Sequence, residues 1–192
     1  MTIKLSKSRF AAGCQCLKRL YLQAHEPELA AEPEAAAEAI IEQGREVGML
    51  ARQLFPGGVE VRAEGGLEQA IRATRELTAN REVPAIFEGT FEHGGVLVRV
   101  DILNRRRDGR WRLIEVKSTT DVKDHHVGDV AIQHRVVCRS GIRLDCLLTD
   151  LALCFTFVDS LWLELEMGDW DAAQWLLAET EKGYATITRL VR

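Results

Sequence analysis

The chain has 192 residues, of which 46% are hydrophobic and 28% are charged, a balance that fits one globular domain and excludes a disordered chain. The net charge of −4 excludes a general basic coat for nucleic acid, so any contact with DNA or RNA must come from a local patch. No apolar run has the length of a membrane span, and the N-terminus lacks the apolar core of a signal peptide. We therefore expect a cytoplasmic protein without a membrane partner.

In chain order, the predicted elements alternate between helices and strands, which is typical of an α/β or α+β sheet with flanking helices. Ser6 or Ser8 is the expected N-cap of the N-terminal helical segment. Pro56-Gly57-Gly58 is expected to end a long helix over residues 35–55. We predict helices over residues 5–24, 35–55, 67–78 and 127–139, and strands over 59–62, 85–92, 96–103, 111–118 and 143–149. In the tail, 155–165 is compatible with strand and 170–181 has a helical apolar face.

Two glycine-containing turns set the register of the three central strands. Gly94-Gly95 favours a two-residue hairpin, which places Glu88 opposite Asp101. Residues 107–109 favour a three-residue loop closed by a left-handed glycine, which places Asp101 opposite Glu115. We therefore expect these three carboxylates to line up across neighbouring strands on one face of the sheet.

Lys117 follows Glu115 by two residues and shares the predicted face. Adjacent carboxylates in an apolar segment repel one another unless a cation neutralises them, and Mg²⁺ or Mn²⁺ prefers such oxygen ligands. A lysine beside the ion can orient or activate a water, or stabilise charge on phosphate. The alternative is a solvated strand with a Glu115–Lys117 salt bridge, but the neighbouring Asp101 favours the metal site.

The segments VRVDIL, WRLIEVKSTT and DVAIQHRVV resemble the RecB-like branch of the PD-(D/E)XK nuclease superfamily. In that branch an Asp ends one strand, an E-x-K lies on the next, and a helix then carries a Gln. The opening LSKSRFAAGCQCLKRLYL is similar to the start of CRISPR-associated RecB-type exonucleases and of related bacterial proteins of unknown function. The segment KDHHVGDVAIQ strengthens the likeness to the latter. The likeness covers residues 4–149.

This resemblance implies a restriction-endonuclease-like α/β fold, with a central mixed sheet flanked by helices. It implies a magnesium or manganese cofactor and a nucleic-acid substrate. The implied catalytic residues are Asp101, Glu115, Lys117 and Gln133. The expected metal ligands are Asp101, Glu115 and the backbone carbonyl of Val116, and the hairpin register adds Glu88.

The chain departs from the resembled nucleases at two positions outside this core. Gly48 stands where they often have a histidine on the early helix, so Glu46 or Glu88 would have to supply the missing ligand. Val137 stands where a tyrosine often follows the Gln by four residues. Both departures keep open the alternative that the fold no longer cleaves.

All five cysteines are expected to be reduced in the cytosol. Some of the resembled proteins hold an iron–sulfur cluster with one early and three late cysteines. Cys16 fits the early position, but Cys138, Cys146 and Cys154 are spaced by eight residues, unlike a cluster-binding group. We therefore expect these residues and Cys14 to be buried structural thiols and expect no iron–sulfur cluster.

Five arginines crowd the hairpin tip beside the Asp101 and Glu115 strands. Such a run of charges can be a solvated turn without a function, or it can bind phosphate groups of a nucleic acid. The candidates for nucleic-acid contact are Arg105, Arg106 and Arg107, with Arg110 and Arg112 nearby.

Lys18 and Arg19 form a second and smaller basic spot that we also assign to nucleic-acid contact. His125 and His126 precede the helix that carries Gln133, where adjacent histidines in a loop are more often surface residues than ligands. We keep His126 as a weaker site candidate.

The sequence thus predicts one domain over residues 1–192, with its core at about 35–150, a helical N-terminal segment at 4–24 and an unassigned tail at 151–192. The expected function is Mg²⁺- or Mn²⁺-dependent hydrolysis of nucleic-acid phosphodiesters, with DNA favoured over RNA. The alternative is a catalytically inactive nucleic-acid-binding or scaffolding module with the same fold.

Overall fold

A computed structural model describes residues 5–30, 35–118, 124–144, 154–158 and 161–165. The helices are α1 (Lys7–Gln15), α2 (Leu17–His25), α3 (Ala35–Arg52), α4 (Leu67–Ala79) and α5 (Asp124–Arg139), with a short 3₁₀ helix at Pro27–Leu29. The strands are β1 (Leu5–Ser6), β2 (Val59–Glu60), β3 (Ala85–His93), β4 (Val96–Arg105), β5 (Trp111–Ile114), β6 (Cys154–Val158) and β7 (Leu161–Leu165). No helix in these ranges combines the length and the hydropathy of a membrane span.

The central sheet is mixed and contains five strands. Its order is β1-β4-β3-β2, and β5 also pairs with β4. β1 runs parallel to β4 and β2 parallel to β3, whereas β3–β4 and β4–β5 are antiparallel. This sheet, flanked by the helices of the described chain, confirms the expected α/β class. β6 and β7 form a separate antiparallel pair.

The two predicted hairpin registers are confirmed. Gly89 lies opposite Val100, as expected from a two-residue turn at Gly94-Gly95, where φ is positive at both glycines (60° and 85°). Ile102 lies opposite Ile114 across the second hairpin. Turn chemistry alone therefore aligned the central strands correctly.

The sheet carries apolar clusters on both faces. The larger cluster includes Phe10 of α1, Leu20 of α2, Ala70 of α4 and Val136 of α5, so those four helices cover one face. The smaller cluster lies under α3 and consists of Ala51, Ala85, Phe87, Ile102 and Ile114. α3 is therefore the helix of the described chain that packs on the second face.

β3 and β4 bend where Glu88 lies across from Asp101. Val98 and Val100 belong to the larger cluster, but Ile102 belongs to the smaller one, so side chains exchange faces between Val100 and Ile102. In β3 the bend falls at Glu88, which has a φ of 56°, a left-handed conformation that is uncommon for a residue other than glycine. The bend brings Asp101 to the α3 side of the sheet.

Two predicted strands end differently in the structure. The strand expected over 111–118 ends at Ile114. Of the strand expected over 143–149, the structure describes a single parallel bridge between Leu144 and Trp111, and residues 145–150 lie outside the described residues. The helix expected over 170–181 lies outside them as well.

The N-terminal segment consists of two helices, and a short strand that we did not predict precedes them. Ser6 ends β1 and caps α1, since its hydroxyl accepts the Arg9 backbone N–H at 3.3 Å. One of the two expected N-caps is thus confirmed, and the cap starts α1 immediately after the strand.

Candidate functional site

The site begins as a gap in one edge of β4. β3 occupies the other edge, so β1 and β5 share this one. β1 pairs with Val96 and Leu97, and β5 begins its pairing at Ile102. Between them, residues 98–101 have no strand partner on this edge among the residues that the structure describes, and Asp101 lies at the end of the gap nearest β5.

The carboxylate of Asp101 replaces the next backbone bond of the β4–β5 ladder. Its Oδ2 accepts the Val116 backbone N–H at 2.8 Å. A side-chain acceptor at this point diverts the chain from the ladder, which explains why β5 ends at Ile114 instead of continuing to Ser118. Glu115 and Lys117 therefore lie just past the strand, where the pleat no longer dictates their direction.

The carboxylate of Glu115 is the centre of a charged cluster. Its Oε1 accepts Lys7 Nζ at 2.8 Å and Lys117 Nζ at 2.7 Å, and its Oε2 accepts Gln133 Nε2 at 2.6 Å. The Glu115 side chain is 1% exposed, and a buried charge needs this degree of pairing. Lys117 Nζ also contacts Asp129 Oδ2 at 3.2 Å.

The pKa values of the two central carboxyl groups are displaced in opposite directions. Burial acts to raise the pKa of Glu115, but Lys7, Lys117 and Gln133 outweigh it and hold that pKa at about 2. The pKa of Asp101 is raised to about 7, first by burial and then by the Glu115 carboxylate, against the smaller opposing effect of Lys7. The ammonium groups therefore neutralise Glu115 and leave Asp101 short of positive charge.

Lys117 is a permanent cation at neutral pH. Burial acts to lower its pKa, but Glu115 and Asp129 outweigh this and raise the pKa above its ordinary value. A lysine that keeps its proton cannot accept another from water. In this charged state Lys117 suits charge stabilisation and the orientation of a water.

A cavity of about 530 Å³ lies between α3 and the sheet. Glu88, Asp101 and Val116 line it, but Glu115 and Lys117 do not. The single row of four side chains that we expected is therefore wrong, although the register was right. The reason is that Glu115 extends from beyond the end of β5 and turns towards Gln133 of α5.

α3 presents Gly44 and Gly48 to this cavity. A side chain added at either glycine would meet no atom within 4 Å, so the cavity has room where the resembled nucleases often have a histidine. Glu46 is exposed and does not line the cavity. The expectation that Glu46 replaces the histidine is therefore not supported by its position.

Glu88 is paired with an arginine. Arg52, in the last turn of α3, donates to Glu88 Oε1 at 2.7 Å and to Glu60 Oε1 at 2.6 Å, and Arg99 lies 3.9 Å from Glu88 Oε2. Among the described residues no three His, Cys, Asp or Glu side chains are grouped so that they could hold a metal. The predicted role of Glu88 as a third carboxylate ligand thus conflicts with its pairing to Arg52.

In the arginine hairpin, defined by Arg105, Arg106, Arg107, Arg110 and Arg112, the guanidinium groups differ in environment. Arg105 donates to the backbone oxygens of Val83 (2.9 Å), Thr78 (3.1 Å) and Asn80 (2.7 Å) and lies 3.9 Å from the Trp111 ring centroid. These three hydrogen bonds of Arg105 hold the turn before β3, and its expected contact with phosphate stays a prediction. Arg110 pairs with Asp108 at 2.7 Å, while Arg106 and Arg107 are exposed.

The remaining candidates lie outside the cavity. Lys18 and Arg19 border a shallow depression on α2. His126 is a residue of α5 and is 4% exposed, so the prediction of a surface loop was wrong there.

Cys14 and Cys16 are exposed free thiols, which corrects the expectation that they are buried. Of the other cysteines, Cys138 is a half-buried free thiol, and the side chains of Cys146 and Cys154 lie outside the described residues.

Sequence reasoning missed Lys7, Arg52 and Asp129. Lys7 and Glu115 are 108 positions apart, and the two-residue β1 that joins them gives no periodic signal. Asp129 precedes Gln133 by four residues, so both lie on one face of α5. That spacing was the one signal from which Asp129 could have been found.

Comparisons with known proteins add little to this geometry. No protein-family model matches the chain, and no curated protein matches it. Among solved structures, the chain is similar to one described as "Crystal structure of SSO0001", with 15% sequence identity, a TM-score of 0.47, and coverage of 95% of this chain and 77% of that chain. A likeness this distant carries no argument, so function must be argued from the site.

Proposed function

We propose that this chain is a metal-dependent nuclease that hydrolyses phosphodiester bonds of nucleic acid, with DNA as the favoured substrate. The observation that carries the proposal is the meeting of Asp101 with the Glu115–Lys117–Gln133 cluster at the gap in β4, beside an open cavity. An isolated salt bridge on a strand, the alternative for an E-x-K, would not require a second buried carboxylate next to it.

The oxygen donors at this point suit a small divalent cation. Mg²⁺ usually binds through one or two carboxylates and keeps several waters, so a third carboxylate is not required. Asp101 Oδ2 is taken by Val116, but among the described residues Oδ1 has no hydrogen-bond donor. We assign Asp101, Glu115 and the Val116 carbonyl as ligands. The chemistry supplied by such an ion is activation of a water and neutralisation of phosphate charge.

Lys117 and Gln133 have distinct parts in the proposed reaction. Lys117 remains charged and is held between Glu115 and Asp129, which suits it to stabilise the charge that develops on phosphate. Gln133 donates to Glu115 and fixes the direction of that carboxylate. Its Oε1 is buried without a donor among the described residues and is therefore available to accept from a water.

A specific observation favours a second function, a nucleic-acid-binding module that does not cleave. Both oxygens of Glu115 are already satisfied, by Lys7 and Lys117 on one side and by Gln133 on the other. The two ammonium groups therefore compensate the negative charge of Glu115 without any metal. The two functions differ in one measurable property, which is metal-dependent cleavage.

The test is cleavage of end-labelled single- and double-stranded DNA, with RNA as a further substrate, in separate Mg²⁺, Mn²⁺ and EDTA arms. Asp101→Asn is the diagnostic variant, and Glu64→Gln is its control, because Glu64 is exposed and loses the same charge. We expect cleavage with Mg²⁺ or Mn²⁺ that Asp101→Asn abolishes and Glu64→Gln retains. A wild-type chain that binds DNA without cutting any substrate would establish the binding module instead.

A further inference from the structure

Lys7 reaches the site because of where β1 ends. β1 runs parallel to β4 and pairs at Val96 and Leu97, so the next residue, Lys7, arrives at the gap from the side opposite to β5. Its Nζ lies 2.8 Å from Glu115 Oε1. A lysine from the first helix therefore occupies the same carboxylate oxygen as Lys117.

The two lysines are not equivalent. Lys117 has a second carboxylate, Asp129, at 3.2 Å, whereas Glu115 is the one ion-pair partner that the described part of the chain offers to Lys7. If Glu115 Oε1 were taken by another cation, Lys117 would keep its ion pair with Asp129, whereas Lys7 would have no ion-pair partner left among the described residues. The Lys7 side chain is also 25% exposed, so it can turn towards solvent without crossing the core.

The charge of Lys7 acts on both central carboxylates. It opposes the rise in the pKa of Asp101, and it helps to lower that of Glu115. An ammonium group thus supplies, from the protein itself, part of the positive charge that a divalent ion would supply between these residues. A divalent cation at Glu115 Oε1 would repel the two ammonium groups that contact this oxygen, and Lys7 is the one of the two without a second carboxylate in the described part of the chain.

We propose that Lys7 is a positioning residue that competes with the divalent cation for Glu115 and so sets the metal affinity of the site. The proposal rests on the proposed function, because it assigns Glu115 as a metal ligand. Its signature is a gain: removing Lys7 tightens metal binding. A residue that only held the fold would, when removed, leave metal affinity unchanged or weaken it.

The experiment measures Mn²⁺ affinity by titration calorimetry on the full chain, with circular dichroism to verify folding. Lys7→Met removes the charge and keeps the length of the side chain, and Lys7→Gln is a second neutral variant in case the first does not fold. Arg9→Met is the control, because this substitution removes the same charge from the same helix. The Arg9 side chain contacts the Gln23 carbonyl and not Glu115. We expect both Lys7 variants to bind Mn²⁺ on the order of tenfold more tightly than the wild type, by analogy with other charged hydrogen bonds.

The outcomes separate the two proposals. Equal or weaker binding by the folded Lys7 variants, with binding by the wild type, overturns the role of Lys7 and leaves the proposed function intact. Binding by the Lys7 variants but not by the wild type supports competition and overturns metal-dependent cleavage by the native chain. Binding by none of the proteins overturns both. Tightening by Arg9→Met to the same degree would show a general charge effect and overturn the specific role of Lys7.

Discussion

The gap in β4 and the arginine hairpin are both dense in charge, but they use that charge differently. At the gap, Glu115 is 1% exposed and is neutralised by two ammonium groups. At the hairpin, Arg106 and Arg107 are exposed, and Arg105 donates hydrogen bonds to three backbone oxygens. Burial and pairing, which a count of charges does not contain, decide which charges can do chemistry and which can only attract a partner.

This contrast predicts that chemistry depends on the gap and binding on the hairpin. Its largest expected effect is at Lys117. Lys117→Met should keep the fold, because Lys7 still neutralises Glu115, but should lower the cleavage rate by roughly 10²–10⁴-fold, since one positioned catalytic group is lost. Arg139→Met, at the exposed end of α5, removes the same charge as a control. Single-turnover cleavage measures the effect, and wild-type rates for Lys117→Met would refute the assigned role.

The next effect concerns the pH dependence of stability. Asp101 has a folded pKa of about 7 against an ordinary value of 3.8, so the native state binds its proton more tightly than the unfolded state does. The free energy of unfolding should therefore fall as pH rises through that window. Glu115, whose pKa is lowered, contributes in the opposite sense and at lower pH. The neighbouring charged groups that act on the pKa of Asp101 are Glu115, Lys7 and Glu88.

Asp101→Asn should remove that loss of stability. Without metal, we expect its melting temperature to exceed that of the wild type by roughly 2–8 °C at pH 8 and by less at pH 5. The measurement is thermal unfolding at both pH values with and without Mn²⁺. Added Mn²⁺ should stabilise the wild type and not the variant. A larger gain at pH 5 than at pH 8 would contradict the direction of the Asp101 shift.

A smaller effect is expected at Arg105. Arg105→Ala removes three hydrogen bonds to backbone oxygens and the contact with Trp111, which should lower the free energy of unfolding by about 1–3 kcal/mol. Arg105→Lys should restore little, because an ammonium lacks the planar fork of donors. Chemical denaturation measures both variants. If Arg105→Ala instead weakened DNA binding without loss of stability, the assignment of Arg105 to phosphate would be supported.

How far the sequence led to this picture depends on the range of each interaction. The turns at Gly94-Gly95 and at residues 107–109 act locally, so they predicted the registers of β3–β4 and β4–β5, which the structure confirms. The contact of Lys7 with Glu115 depends on the two-residue parallel pairing of β1 with β4. No hairpin turn connects these two strands, so the sequence carries no local signal for their pairing. Loop closure over such distances leaves no local pattern in the sequence.

The bend at Glu88 and the end of β5 were missed for a related reason. A φ of 56° at a glutamate is imposed by its surroundings and not by the residue itself. The end of β5 depends on a side chain of another strand, since Asp101 takes the Val116 N–H. These two departures from regular sheet geometry lie at the candidate site, where local rules are most often overridden.

The smallest expected effect tests the other half of the comparison, the claim that the hairpin only attracts. Arg106→Glu/Arg107→Glu should weaken DNA binding and flatten its dependence on salt, because each lost phosphate contact reduces the slope by about 0.9. Arg72→Glu/Arg75→Glu, at exposed positions of α4, makes the same change in net charge elsewhere. Since the whole chain already carries −4, an effect of net charge alone would appear equally in both pairs. Binding is measured in EDTA across a salt series, so that cleavage does not interfere. A reduced slope for the hairpin pair alone would locate the phosphate contacts at Arg106 and Arg107, while equal slopes in both pairs and the wild type would remove the hairpin from the nucleic-acid surface.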